Sequence, residues 1–268
     1  MEASEAFPPS KLRIHYDLLH ELCEGEQTAL ARFRSDKTYR LATRFESSVK
    51  QTLNSPRISN LIYGELDEDG AIIDDRSALP VIVDPHQIDS TDPFAAYIKN
   101  KAWTVEGPSD LTFTYVDREL SPLRITEQGG ARPSVRWLDL LLREHEAGQP
   151  IVTELKVRRD SLPYYALTQA LMYAADLCGR NQFERLNQLL PGDAKPFVWH
   201  DDRPSLDVAV IFFEPPESGW SNWDDSLGAT KTIVANLNKD PRVNRVVGQI
   251  RLIEGTIVKD EIIFKTIV

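Results

Sequence analysis

Apolar residues in this chain change period along its length, and the changes mark its elements. Ile14, Leu18 and Leu22 recur every four residues, as do Leu41, Phe45, Val49 and Leu53. That spacing gathers each set on one helical face. Residues 1–55 are expected to form N-terminal helices after a loose 1–10, the last being the first core helix. From 56 to 110 the period breaks up among Pro and Asp residues. Short apolar triplets at 61–63 and 71–73 flank an acidic stretch ending in Asp69-Gly70, which suggests a hairpin. This region is expected to be an acidic insertion or lid outside the core.

From 111 to 268 the pattern sharpens into a core. Residues 111–116 alternate like a strand, whereas 135–142 and 150–157 are continuous apolar runs with charges embedded in them. Continuous runs suit central strands buried on both faces. Gly148 falls in a connection short enough for a hairpin. Ser161 is placed to cap a helix over 164–177, with Pro163 in its first turn. A strand over 207–213, a helix over 229–239 and a hairpin over 251–264 turning at Glu254-Gly255 complete the order. The expectation is an α/β fold in one domain, with a mixed sheet flanked by helices.

The embedded charges carry the chemistry. In a strand, Glu154 and Lys156 point to one face and Leu155 to the other. Charges in so apolar a run are costly unless a metal or a partner compensates them. Asp139 lies in the preceding run, within reach if the two strands pair. Two carboxylates, the Leu155 backbone carbonyl and water suit Mg²⁺ or Mn²⁺, which favour oxygen ligands. A metal there would activate water against a phosphodiester, with Lys156 orienting the water or stabilising charge. Glu154-Leu155-Lys156 is the chain's one Glu-x-Lys. The alternative is a structural ion pair on an exposed strand edge, which the apolar flanks argue against. On the following helix, Gln169 and Tyr173 are four apart and share a face.

Composition narrows the setting. Net charge is −10, which argues against a protein that coats nucleic acid. The charge is segregated, however. Residues 64–92 hold nine acids and one base, while 31–57 hold seven bases and two acids. Residues 231–251 hold five bases against Asp240. The two basic stretches are expected to line a nucleic-acid groove, through Arg44, Lys231, Arg242 and Arg245. Arg158 and Arg159, leaving the strand beside Lys156, are placed to touch a phosphate backbone. Acidic 64–92 is a candidate partner surface. The two cysteines, Cys23 and Cys178, suggest neither a disulfide framework nor a zinc cluster. The acidic N-terminus lacks the apolar core of a secretory signal, so a cytoplasmic setting without membrane contact is expected.

Asp139, Glu154-Leu155-Lys156 and the helix bearing Gln169 and Tyr173 together resemble the PD-(D/E)XK nuclease superfamily. The resemblance implies a restriction-endonuclease-like mixed β-sheet flanked by helices, and metal-dependent cleavage of nucleic acid, DNA ahead of RNA. It assigns metal binding to Asp139 and Glu154, a catalytic role to Lys156 and support of the site to Gln169. It also suggests Glu46 as the glutamate many members carry on the first core helix. Leu138 stands where the motif has proline. The resemblance further implies a repair or anti-phage effector acting with a helicase or ATPase, or as a homodimer. Two alternatives stay open: a non-catalytic binding or assembly subunit, and an RNA-cleaving endonuclease.

Overall fold

The computed structural model describes residues 12, 14, 15, 38–54, 60–63, 65–66, 72–73, 79–82, 84–108, 111–125, 131–132, 138–158, 162–192, 194–216 and 221–268. Helix α1 (Thr38–Leu53) buries the Leu41, Phe45 and Val49 stripe. Short strands β1 (Asn60–Tyr63), β2 (Glu65–Leu66) and β3 (Ile72–Ile73) follow, then helix α2 (Thr91–Ile98). Next come β4 (Trp103–Glu106), β5 (Leu111–Ile125), β6 (Ala131–Arg132), β7 (Leu138–Glu144) and β8 (Pro150–Val157). Helices α3 (Pro163–Leu177) and α4 (Arg180–Leu186) lead to β9 (Leu206–Phe213). The remaining elements are α5 (Ser221–Leu237), α6 (Pro241–Asn244), β10 (Val247–Val258) and β11 (Glu261–Thr266).

Seven of the strands close into a mixed barrel in the order β5, β7, β8, β9, β10, β11, β4 and back to β5. The steps β8–β9, β9–β10 and β11–β4 are parallel and the others antiparallel. This overturns the expected restriction-endonuclease-like sheet, which is open and flanked by helices. The closing strand is β4, which lies in the stretch expected to be an insertion. It pairs Val105 with Phe264 of β11 and Trp103 with Phe113 of β5. Such pairings between distant segments leave no local trace in the sequence, and closure removes the edges an open sheet would expose.

Alternation along the strands divides the side chains between two cores. Trp103, Phe113, Leu142, Leu155, Ile211, Phe213 and Phe264 point inward and fill the barrel, with Phe94 and Ile98 of α2 added. Phe94 meets Phe213 edge to face, and Trp103 and Phe113 each meet Phe264 in the same way, at centroid distances of 5.4–5.5 Å. Arg118 of β5 anchors α2 by an ion pair to Asp92 at 2.8 Å. On the outside, Leu141, Val152, Val208, Val210 and Leu252 pack beneath α1, α3 and α5. Pro163 starts α3, and Ala166, Ala170 and Ala174 let it sit close on the strands.

Other expectations shift in detail. The 61–73 hairpin resolves into β2 paired with β3, while β1 joins β5. The 251–264 hairpin turns at Lys259-Asp260, both left-handed, instead of at Glu254-Gly255. Gly255 lies within β10, and its lack of a Cβ leaves room for the Phe264 ring, which a Cβ would approach to 3.0 Å. Ser161 and most of 64–78 lie outside the described residues. Among the described residues, no helix is long and apolar enough to cross a membrane.

Candidate active site

Strand β8 is rich in β-branched residues and central in the sheet, so its alternation is strict. Ile151 and Leu155 face the barrel interior, and Val152 faces the helices. Glu154 and Lys156 therefore face the helices too, on the side roofed by α3. Glu154 is fully buried and stands opposite Val210 of β9.

Beside them the β7–β8 hairpin parts. Pairing runs from Arg143↔Pro150 to Leu140↔Thr153 and stops there. One residue on, inward Leu140 gives way to outward Leu138 without the usual alternation. At that break Asp139 turns its carboxylate across to β8, where its Oδ2 accepts the Leu155 N–H at 2.9 Å. A strand residue's N–H and C=O project to the same edge. The Leu155 carbonyl thus points into this notch as well.

Within the notch, Lys156 Nζ lies 2.7 Å from Glu154 Oε1 and 3.9 Å from Asp139 Oδ2. Glu154 Oε2 is buried, and among the described residues no donor reaches it. Its neighbour is the Asp139 carboxylate. Burial first, and the Asp139 charge second, hold the Glu154 carboxyl well above its ordinary range, with Lys156 offsetting part of the effect. Two carboxylates in contact, one fully buried and the other mostly so, call for a proton or a cation between them. On α3, Gln169 Oε1 is likewise buried with no donor among the described residues. Tyr173, one turn further, is fully buried.

The orphaned oxygens and the hard, anionic donor set fit a divalent cation. Asp139, Glu154 and the Leu155 carbonyl would hold it, with water completing the shell. Among the described residues no group of three or more His, Cys, Asp or Glu side chains gathers to hold a metal, so Glu46 supplies no third carboxylate. Its Oε1 pairs with Lys50 at 2.6 Å along α1. His200 lies beside Arg203, and Asp201 pairs with Arg180, both at the surface.

The basic residues divide between two ends of the barrel. Arg158 is exposed where β8 finishes, two residues past Lys156, and Arg159 lies outside the described residues. Arg242 and Arg245 belong to α6 and its C-cap, which lead into β10 where Val247 pairs with Leu206. Lys156 stands opposite Phe212, six residues up β9 from Leu206, or roughly 20 Å along the strand. Arg242 is also engaged already. It meets Asp240 Oδ2 at 2.5 Å and donates to Thr43 Oγ1 of α1 at 2.9 Å. Arg44 is partly exposed on α1, Lys231 partly exposed on α5, and Arg245 exposed. Arg242 thus ties α6 of one basic stretch to α1 of the other.

No protein-family model, curated protein or solved structure matches this chain. Sequence spacing pointed to Asp139, Glu154, Lys156 and Gln169. It gave no sign that Asp139 would accept the Leu155 N–H, because that bond depends on where two strands part.

Proposed function

We propose that the notch between β7 and β8 binds a divalent cation, Mg²⁺ or Mn²⁺, and hydrolyses phosphodiester bonds of nucleic acid, DNA ahead of RNA. The observation carrying this reading is the buried Glu154 Oε2, facing the Asp139 carboxylate with no donor among the described residues. A structural ion pair would need one acid and one base, whereas the notch holds two acids and one base in an apolar wall. When bound, the cation supplies a Lewis acid that polarises the phosphoryl oxygen and makes water more acidic.

The chain's own groups divide the remaining work. Asp139 is fixed by the Leu155 N–H, so its second oxygen has a set direction. Lys156 holds Glu154 Oε1 and keeps its carboxylate aimed into the notch. Its ammonium is placed to orient an attacking water or to stabilise charge gathering on the phosphate. Gln169 Oε1, buried on α3 with no donor among the described residues, would hold a water of the cation's shell. The apolar wall of Val152 and Val210 excludes bulk water, which strengthens each of these interactions.

The test is to incubate the protein with plasmid, linear duplex, single-stranded DNA and RNA in Mg²⁺ or Mn²⁺. Glu154→Ala and Lys156→Ala are run beside it, and Mn²⁺ binding is followed by calorimetry. Cleavage and Mn²⁺ binding by the wild type, with cleavage lost in both variants, supports the reading. Absence of Mn²⁺ binding, or cleavage that survives Glu154→Ala, overturns it.

A further inference from the structure

Five non-glycine residues among those described hold left-handed backbone: Glu119, Arg158, Glu214, Lys259 and Asp260. Such a conformation is unfavourable for a residue with a Cβ, and glycine adopts it more readily. Local structure accounts for four of them. Lys259 and Asp260 form the tight β10–β11 turn. Glu214 Oε1 accepts the Ile257 N–H at 2.6 Å and its own N–H donates to Gly255. Glu119 follows the register shift between Tyr115 and Asp117 in β5.

Arg158, with φ of 56°, is different. Its N–H donates to the Phe213 carbonyl at 2.7 Å, a bond that any residue except proline would make. Its side chain is exposed, and among the described residues no hydrogen bond or ion pair holds it. Nothing within the described fold asks for an arginine there. The position itself is informative. Arg158 stands at the end of β8, two residues beyond Lys156 and roughly 7 Å further along the strand direction. Lys156 is buried and committed to the acids and the reacting phosphate, so a neighbouring phosphate needs a second cation.

We propose that Arg158 is the residue that positions the substrate, by binding a phosphate next to the one cleaved. This rests on reading the notch as a phosphodiesterase site. A guanidinium suits the task because its planar fork can meet two phosphate oxygens at once, and it stays charged at any working pH. The Arg158 side chain is exposed at the end of β8 and free to turn towards a ligand in solvent. Arg242, held by Asp240 and Thr43, has no such freedom.

The experiment compares wild type with Arg158→Ala, Arg158→Lys and Arg158→Gly on a defined oligonucleotide in Mn²⁺, across a salt series. Arg158→Ala is expected to raise KM about tenfold with kcat within about twofold, and to lower the salt slope by about one. Arg158→Lys should recover part of the KM, as a point charge lacking the fork. Arg158→Gly should show the same KM defect with Tm raised by about 2 °C, because it relieves the backbone. Unchanged KM and salt slope in Arg158→Ala, with an active wild type, would overturn this inference and leave the nuclease reading standing. A wild type that neither binds nor cleaves the oligonucleotide overturns both.

Discussion

Lys156 and Glu154 are two residues apart on one strand face, and their 2.7 Å ion pair is sealed from water. The same ammonium stands 3.9 Å from Asp139. It therefore pairs with both acids and sets the charge state of the notch.

Removing that ammonium should be severe. Lys156→Met leaves two acids facing each other in an apolar wall, and Glu154 loses the one group lowering its pKa. Activity is expected to fall by about 10²–10⁴-fold. Global stability should change far less, because Glu154 can take up a proton in place of the lost partner. Steady-state cleavage and thermal melting, measured on the same preparation, separate the two effects. A variant that retains wild-type cleavage would remove Lys156 from the mechanism.

Cation binding should depend on pH in a defined direction. The folded-state pKa of Glu154 is raised, so its contribution to stability is full below the ordinary glutamate value. That contribution is lost as pH rises through the folded value. A divalent cation must displace the proton, so it stabilises more as pH rises. The Mn²⁺-induced rise in Tm is therefore expected to grow between about pH 5 and pH 8, and to disappear in Glu154→Gln. A shift that stays flat across this range would argue against Glu154 as a ligand.

Gly255→Val tests the barrel's interior packing. A Cβ at 255 would lie 3.0 Å from the Phe264 ring and 3.3 Å from Phe213. Both rings belong to the edge-to-face cluster, which has little room to move. Destabilisation of about 1–3 kcal/mol is expected, read as a lower denaturant midpoint at constant slope.

Asp92→Ala probes the closure from the other side. It strands the Arg118 guanidinium, buried at the root of α2, without the carboxylate 2.8 Å away. Asp92 itself is partly solvated, which limits the loss to about 2 kcal/mol. Arg118→Met should cost less than Asp92→Ala, since it leaves no buried charge behind. Chemical denaturation of the two variants gives the order, and the reverse order would contradict it.

Much of the site was legible because its signal is local. Charges spaced two apart inside the 150–157 run announce a strand face with something to compensate. The alanines and Pro163 announce a helix fitted closely above it. The barrel was not legible for the opposite reason. Strand β4 has only four residues, stands among turn-forming residues, and takes its meaning from partners at 113 and 264. The break at Asp139 was hidden likewise, since a run of apolar residues says nothing about where two strands cease to pair. Gly255 misled because glycine marks turns and close ring contacts alike. The two basic stretches were visible as charge, but their meeting at α1 and α6 depends on Arg242 reaching Thr43.

A ring of strands has no loose end to absorb a change. In an open sheet, the gap between two neighbours can widen without disturbing the far edge. Here every stave is braced by all the others, so the distance from Asp139 to Glu154 is a property of the whole hoop. Val105 and Phe264, at a seam beyond β5 and β10, thereby share in holding the jaws of the notch to their width.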